Sequence, residues 1–175
     1  IILEKILPQM SESIKKAIQN GTLIIDYMGG TGNLPYKLSF WRNLQCKYHV
    51  LLDNDDAGRR AGQVTETQGL LNIRNTTYTI CNGSQNAEFE DCLEKTAYTG
   101  AVLSEFGVDL NVAEFGGNKK WSDRVADCFR SQGKQWNDTT EKRVKLCVAE
   151  SLPANPAVAL NQYKRSSIDA LVAAL

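Results

Sequence analysis

The chain has a single histidine, no C-x-x-C pair, no net charge and no long apolar run, and each scarcity closes a class of function. The lone imidazole, His49, lies in an apolar strand-like stretch, so it reads as a satisfied core or strand-edge side chain rather than the base of a Ser-His-Asp triad. Five cysteines, Cys46, Cys81, Cys92, Cys128 and Cys147, are odd in number and widely spaced. That spacing argues against a zinc site or redox dithiol and for reduced, buried thiols in a cytoplasmic protein. No apolar run approaches the roughly 18 residues of a membrane-spanning helix, and the first residues lack a signal-peptide pattern. A membrane partner is therefore not expected. The chain opens inside an apolar stretch, Ile1, Ile2, Leu3, Ile6 and Leu7, and reads as a piece of something longer.

What is present is ordinary globular composition, 42% hydrophobic and 23% charged over 175 residues, enough for one sizeable core. The zero net charge hides an asymmetry. Residues 1–115 carry 10 basic and 14 acidic side chains, whereas residues 116–175 carry 10 basic and 6 acidic. An acidic front and a basic back suit a metal site beside a phosphate-binding surface, although a polar helical surface produces the same asymmetry.

Ser11 and Gly21 bracket a short amphipathic helix over 11–20. Thr22 to Met28 reads as a buried strand, Gly29 to Asn33 as a turn, Leu34 to Gln45 as a helix with Pro35 in its first turn, and Lys47 to Leu52 as a second buried strand. These form a β-α-β unit, and open parallel sheets collect reactive groups where their strands end at the carboxyl side. Asp53 sits at such an end. A helix over 58–71 and a strand over 76–80 follow, and then helices over 87–106, 118–132, 138–152 and 157–174. The expected fold class is α/β: a mostly parallel sheet flanked by helices over residues 1–95, with a helical C-terminal region over 96–175 packed on it.

Asp53 and Asp55 stand two apart directly after a buried strand, with Gly58 allowing a sharp turn. Paired carboxylates repel unless a cation separates them, and hard cations such as Mg²⁺ take oxygen ligands. An EF-hand loop fails because its positions five and twelve are Ala57 and Val64. A dehalogenase-type phosphotransfer site fails because Ala57 stands where Thr or Val belongs. A solvated turn capping a helix remains the plain alternative. A second acidic cluster, Glu88, Glu90 and Asp91, follows the 76–80 strand, where a carboxylate run also serves as routine helix-dipole compensation. The Gly29-Gly-Thr-Gly32 turn lacks the Gly-Lys-Ser/Thr ending of a P-loop.

These residues resemble the Toprim domain, specifically the version in OLD-family (overcoming lysogenization defect) ATP-dependent endonucleases. The resemblance covers nearly the whole chain. It rests on Asp53-x-Asp55-x-x-Gly58, on the Glu88 to Asp91 cluster, and on a helical tail bearing Lys119, Lys120, Lys142 and Lys145. It implies cleavage of DNA phosphodiesters with two Mg²⁺ or Mn²⁺ ions about 4 Å apart. Asp53, Asp55, Glu88 and Glu90 would be the metal ligands, and Asp53, Asp55, Glu90 and Lys145 the catalytic set. Lys145 is chosen because Val148 and Ala149 follow it, with Lys142, Lys120 and Lys119 as alternatives. The family also places a Glu-Gly after its first strand, and this chain has no Glu-Gly. Either Glu4 serves, or, as favoured here, residues 1–7 are helical and the first strand lies upstream. The family's ATPase half is not in this sequence, so no ATP site is expected, and oligomerisation is assigned to that missing part. A primase- or topoisomerase-like Toprim is the lesser enzyme reading; Tyr27, Tyr36 and Tyr48 lie in or near predicted core elements, which disfavours a nucleophilic tyrosine. From a different class comes a non-catalytic Toprim-like module holding DNA or a partner protein in an antiphage defence complex.

Overall fold

The computed structural model describes residues 1–175 as a helix-rich α/β fold with one two-stranded parallel sheet. Helices α1 (Ile2–Met10) and α2 (Glu12–Gln19) come first. Ser11 separates them, its hydroxyl accepting from the Ile14 amide at 3.4 Å as the cap of α2. Because Ile1 to Glu4 belong to this helical start, Glu4 does not sit at a strand end. Helix α3 (Leu34–Asn43), with Pro35 in its first turn, precedes strand β1 (Val50–Leu52), helix α4 (Asp56–Thr67) and strand β2 (Thr76–Tyr78). The strands pair in parallel, Val50 with Thr76 and Leu52 with Tyr78.

The β-α-β unit is therefore β1–α4–β2, one element later than the sequence pattern predicts. Thr22 to Met28 forms no strand. The Thr22 and Leu23 amides are drawn back to the Ala17 carbonyl at 2.9 and 3.1 Å, closing the end of α2. Leu23 and Ile25 pack against the cluster of Leu7, Ile14 and Leu171, while Ile24 is 68% exposed. The alternation that reads as a strand is thus satisfied by helix packing without a ladder. Two of the tyrosines assigned to core elements are on the surface, Tyr27 84% and Tyr36 75% exposed. Tyr48 is half-buried and donates to the Leu70 carbonyl.

The C-terminal part consists of α5 (Thr99–Phe106), α6 (Trp121–Ser131), α7 (Asp138–Ser151), α8 (Pro156–Ala159) and α9 (Ser166–Ala174). Helix α5 stops at Gly107, whose φ of 64° is left-handed. Asn137 caps α7 by accepting from the Thr140 amide at 3.0 Å. The continuous helices expected over 87–106 and 157–174 are broken by one antiparallel bridge, Leu93 to Leu160. There the Glu94 amide donates to the Ala159 carbonyl and the Asn161 amide to the Cys92 carbonyl, both at 2.9 Å. Backbone groups engaged across the molecule are lost to an α-helix, so residues 89–92 and 95–97 form single 3₁₀ turns instead.

The main core gathers Trp121, Val125, Phe129, Val144 and Val148 with Ile6 of α1, so the first helix shares its burial with the last ones. A smaller cluster of Leu34, Leu38, Val50, Leu52 and Leu71 backs β1. Four cysteines are buried and unpaired, as expected, but Cys46 is exposed at the turn after α3. His49 is half-buried at the start of β1, its Nε2 2.8 Å from the Thr77 hydroxyl, and burial holds its pKa below the ordinary value. No helix is long and apolar enough to cross a membrane.

Candidate functional site

Two chain segments meet just past the carboxyl end of β1. Asn54 forms a reciprocal backbone pair with Ala87, at 2.8 and 3.0 Å, which seats the 88–91 turn beside Asp53. The Asp53 Oδ1 accepts from the Phe89 amide at 2.8 Å. Asp55 caps α4, its Oδ1 accepting from the Gly58 amide at 2.9 Å. Arg59 stitches the two loops together by donating to the Asn54 carbonyl at 2.9 Å and to the Asn86 side chain at 2.8 Å.

Gly58 is fixed by space. A Cβ there would lie 2.0 Å from the Asp53 carbonyl oxygen, a backbone atom that cannot swing aside. Gly58→Ala is therefore expected to destabilise the fold by about 2 kcal/mol, read as an earlier urea midpoint, and to shift Asp53 away from Phe89.

The carboxylates of the acidic front face lysines of the basic back. Lys120, directly before α6, lies 3.2 Å from Asp55 and 3.4 Å from Glu88. Lys145, on α7, lies 3.2 Å from Glu88, 3.2 Å from Glu141 and 4.0 Å from Glu90. Asp53, Asp55, Glu88, Glu90 and Lys145, the residues singled out from sequence, thus stand in one cluster. Lys120 and Glu141 join it. The other two lysines do not: Lys119 pairs with Asp127 at 2.7 Å and Lys142 is exposed on α7. Glu4 lines an apolar groove with Ile18, Leu23 and Ile25 instead.

The second acidic run divides its labour in a way its spelling does not reveal. Asp91, 1% exposed at its side chain, is structural. One of its oxygens takes Arg124, and the other accepts from the Glu88 amide at 2.8 Å and the Trp121 amide at 3.1 Å. Glu88 is half committed: Oε2 accepts from the Ser122 amide at 2.7 Å, leaving Oε1 to the two lysines. These contacts pin the start of α6, where free amides and the helix dipole favour negative charge. Glu90 accepts no hydrogen bond from another residue, and its side chain is 11% exposed.

The electrostatics follow. Burial pushes the Asp53 carboxyl up to about 6, with Glu88 and Asp55 adding repulsion against the pull of Lys145 and the Phe89 amide. Burial likewise pushes Glu90 up to about 7, aided by Asp53 and Glu88 and opposed by Lys145. For Asp55 and Glu88 burial also disfavours the charge, but it is outweighed by the Gly58 amide and Lys120 in one case, and by Lys145 and the Ser122 amide in the other, so both lie below the usual carboxylate range. Burial alone would lower Lys145, yet Glu90, Glu88 and Glu141 hold it well above an ordinary lysine. The cluster pairs two committed anions with two that resist ionising, Asp53 and Glu90.

As they stand, no three carboxylates form a ready-made metal cage. The donor set is nevertheless all oxygen, and Asp53 Oδ2 and both Glu90 oxygens are uncommitted, which is the chemistry that Mg²⁺ or Mn²⁺ takes. Compared with protein-family models, with curated proteins and with solved structures, the chain matches none of them.

Proposed function

We propose that the chain is a Toprim-like, metal-dependent DNA endonuclease domain of a larger ATPase-nuclease, hydrolysing phosphodiester bonds. One observation carries this reading: Asp53 and Glu90, from separate segments, are buried close enough for each to oppose the other's ionisation, with Lys145 beside Glu90. Buried carboxylates with raised pKa and no compensating partner are costly to fold and mark sites whose partner arrives later. Asp53, Asp55 and Glu90 would hold the cations, with Glu88 adding its Oε1. Bound Mg²⁺ or Mn²⁺ supplies Lewis-acid charge to a phosphate oxygen and lowers the pKa of an attacking water. The Lys145 ammonium, kept protonated by its acidic neighbours, neutralises negative charge growing on the phosphate. Asp91 and Arg124 hold the turn that carries Glu90, and Gly58 holds the turn that carries Asp55.

A second reading draws on the ion pairs of Lys120 and Lys145 with Asp55 and Glu88. These already neutralise part of the cluster, as a non-catalytic module binding DNA or a partner in an antiphage complex would require. Plasmid nicking in Mn²⁺ separates the two. Lys145→Ala is expected to slow nicking by about 10²-fold, while Lys142→Ala, which removes the same charge one turn away, stays within about twofold. Equal rates for both variants, or no nicking by the parent chain, favour the second reading.

A further inference from the structure

Glu90 faces a second feature on the side away from β1, a cleft of about 250 Å³. Its walls carry Glu90, Lys95, Phe115, Arg124, Asn161 and Lys164 among others. We infer that this cleft is a phosphate-binding subsite for a single DNA strand, seating a backbone phosphate next to the one positioned at the carboxylate cluster. The inference rests on the nuclease reading for the identity of its ligand, and on the following geometry for the site itself.

The Leu93–Leu160 bridge brings two lysines from distant segments to one cleft, Lys95 two positions after one partner and Lys164 four positions after the other. Neither ammonium has a carboxylate within salt-bridge distance, in contrast to Lys119, Lys120 and Lys145. Lys95 instead rests over the Phe115 ring at 5.4 Å from its centroid, and Arg124 over the same ring at 4.7 Å. Of the nearby acids, Asp91 is taken by Arg124, and Glu94 accepts from the Asn161 amide at 2.9 Å and lies 3.4 Å from the Thr96 hydroxyl. The Lys164 turn is rigid: the Asn161 side-chain oxygen accepts from the Tyr163 amide, and its carbonyl from the Lys164 amide, both at 3.0 Å. Two uncompensated cations on a fixed scaffold, opening on a proposed metal ligand, suit a phosphodiester anion. The cavity is below the roughly 300–1,000 Å³ of a small-molecule pocket, so it admits a phosphate and its sugar rather than a large free ligand.

The test is binding of a fluorescein-labelled 12-nucleotide oligothymidylate to the full chain in EDTA, where strand cleavage does not enter and a failed nuclease assignment leaves the readout intact. Lys95→Ala/Lys164→Ala is expected to weaken binding about tenfold and to reduce the slope of log K against log salt by about 1.4, near 0.7 per lost contact on a single strand. Lys15→Ala/Lys16→Ala on α2 controls for net charge and should change the affinity less than about twofold. Inorganic phosphate distinguishes the source of the anion. Displacement of the oligonucleotide only by other strands supports the strand assignment. Displacement by millimolar phosphate, or protection of the parent chain but not the double variant from thermal unfolding, shows a free-phosphate site and overturns it. Equal affinities for the two double variants, or no binding by the parent chain, also overturn the inference.

Discussion

Asp53→Asn is expected to abolish Mn²⁺-dependent nicking, by 10²-fold or more on the order of losing an electrostatic catalytic group, and at the same time to make the metal-free protein more stable. The opposite signs come from one cause. The Asn side-chain oxygen still accepts from the Phe89 amide, but the charge is gone. Because the Asp53 pKa rises from 3.8 to about 6 on folding, its contribution to stability is fully present below the unfolded value and is lost as pH rises through 6. Ionising it at pH 8 costs about 3 kcal/mol by that shift. Neutralisation should therefore raise the metal-free Tm by several degrees at pH 8, at about 2–4 °C per kcal/mol for a chain of this size, and leave it nearly unchanged at pH 4. A merely structural aspartate would lose stability at both pH values. Circular dichroism melts at pH 4 and pH 8, paired with a nicking assay, read both halves of the expectation.

The second large effect lies three residues from the first cluster's centre. Asp91→Asn is expected to destabilise the fold by about 3–5 kcal/mol, the usual penalty for breaking a buried ion pair from one side. The replacement leaves the Arg124 guanidinium without its anion and turns an amide donor toward either Arg124 or the Glu88 and Trp121 amides. The loss should be equal with and without Mn²⁺, since Asp91 has no oxygen to spare. Urea unfolding followed by tryptophan fluorescence measures it, and a stability within about 1 kcal/mol of the parent would remove Asp91 from its structural role.

Asp53, Asp55 and Gly58 were legible because their geometry is local: a strand end, a helix cap and a turn lie within six residues. The β-α-β arrangement was legible in kind but misplaced, since the alternation of Leu23, Ile24 and Ile25 serves a groove beside α2 as well as it would serve a ladder. Roles within Glu88, Glu90 and Asp91 could not be divided from sequence. That division depends on Arg124 and the start of α6, some 33 positions on. The same docking brings Lys120 in beside Lys145, and nothing in the spelling of the tail distinguishes it from Lys119. Its charge asymmetry was the one long-range signal available, and the lysine–carboxylate pairs of the cluster cross that divide.

Whether Asp53 and Glu90 together receive a cation is tested most directly by calorimetric titration of Mn²⁺ into the chain at pH 6.5, in two buffers of different ionisation enthalpy. With carboxyls at about 6 and about 7, binding should release about one proton, and Asp53→Asn and Glu90→Gln should each weaken it by tenfold or more. No binding, or binding without proton release and with unchanged affinity in both variants, would contradict the shared-cation site.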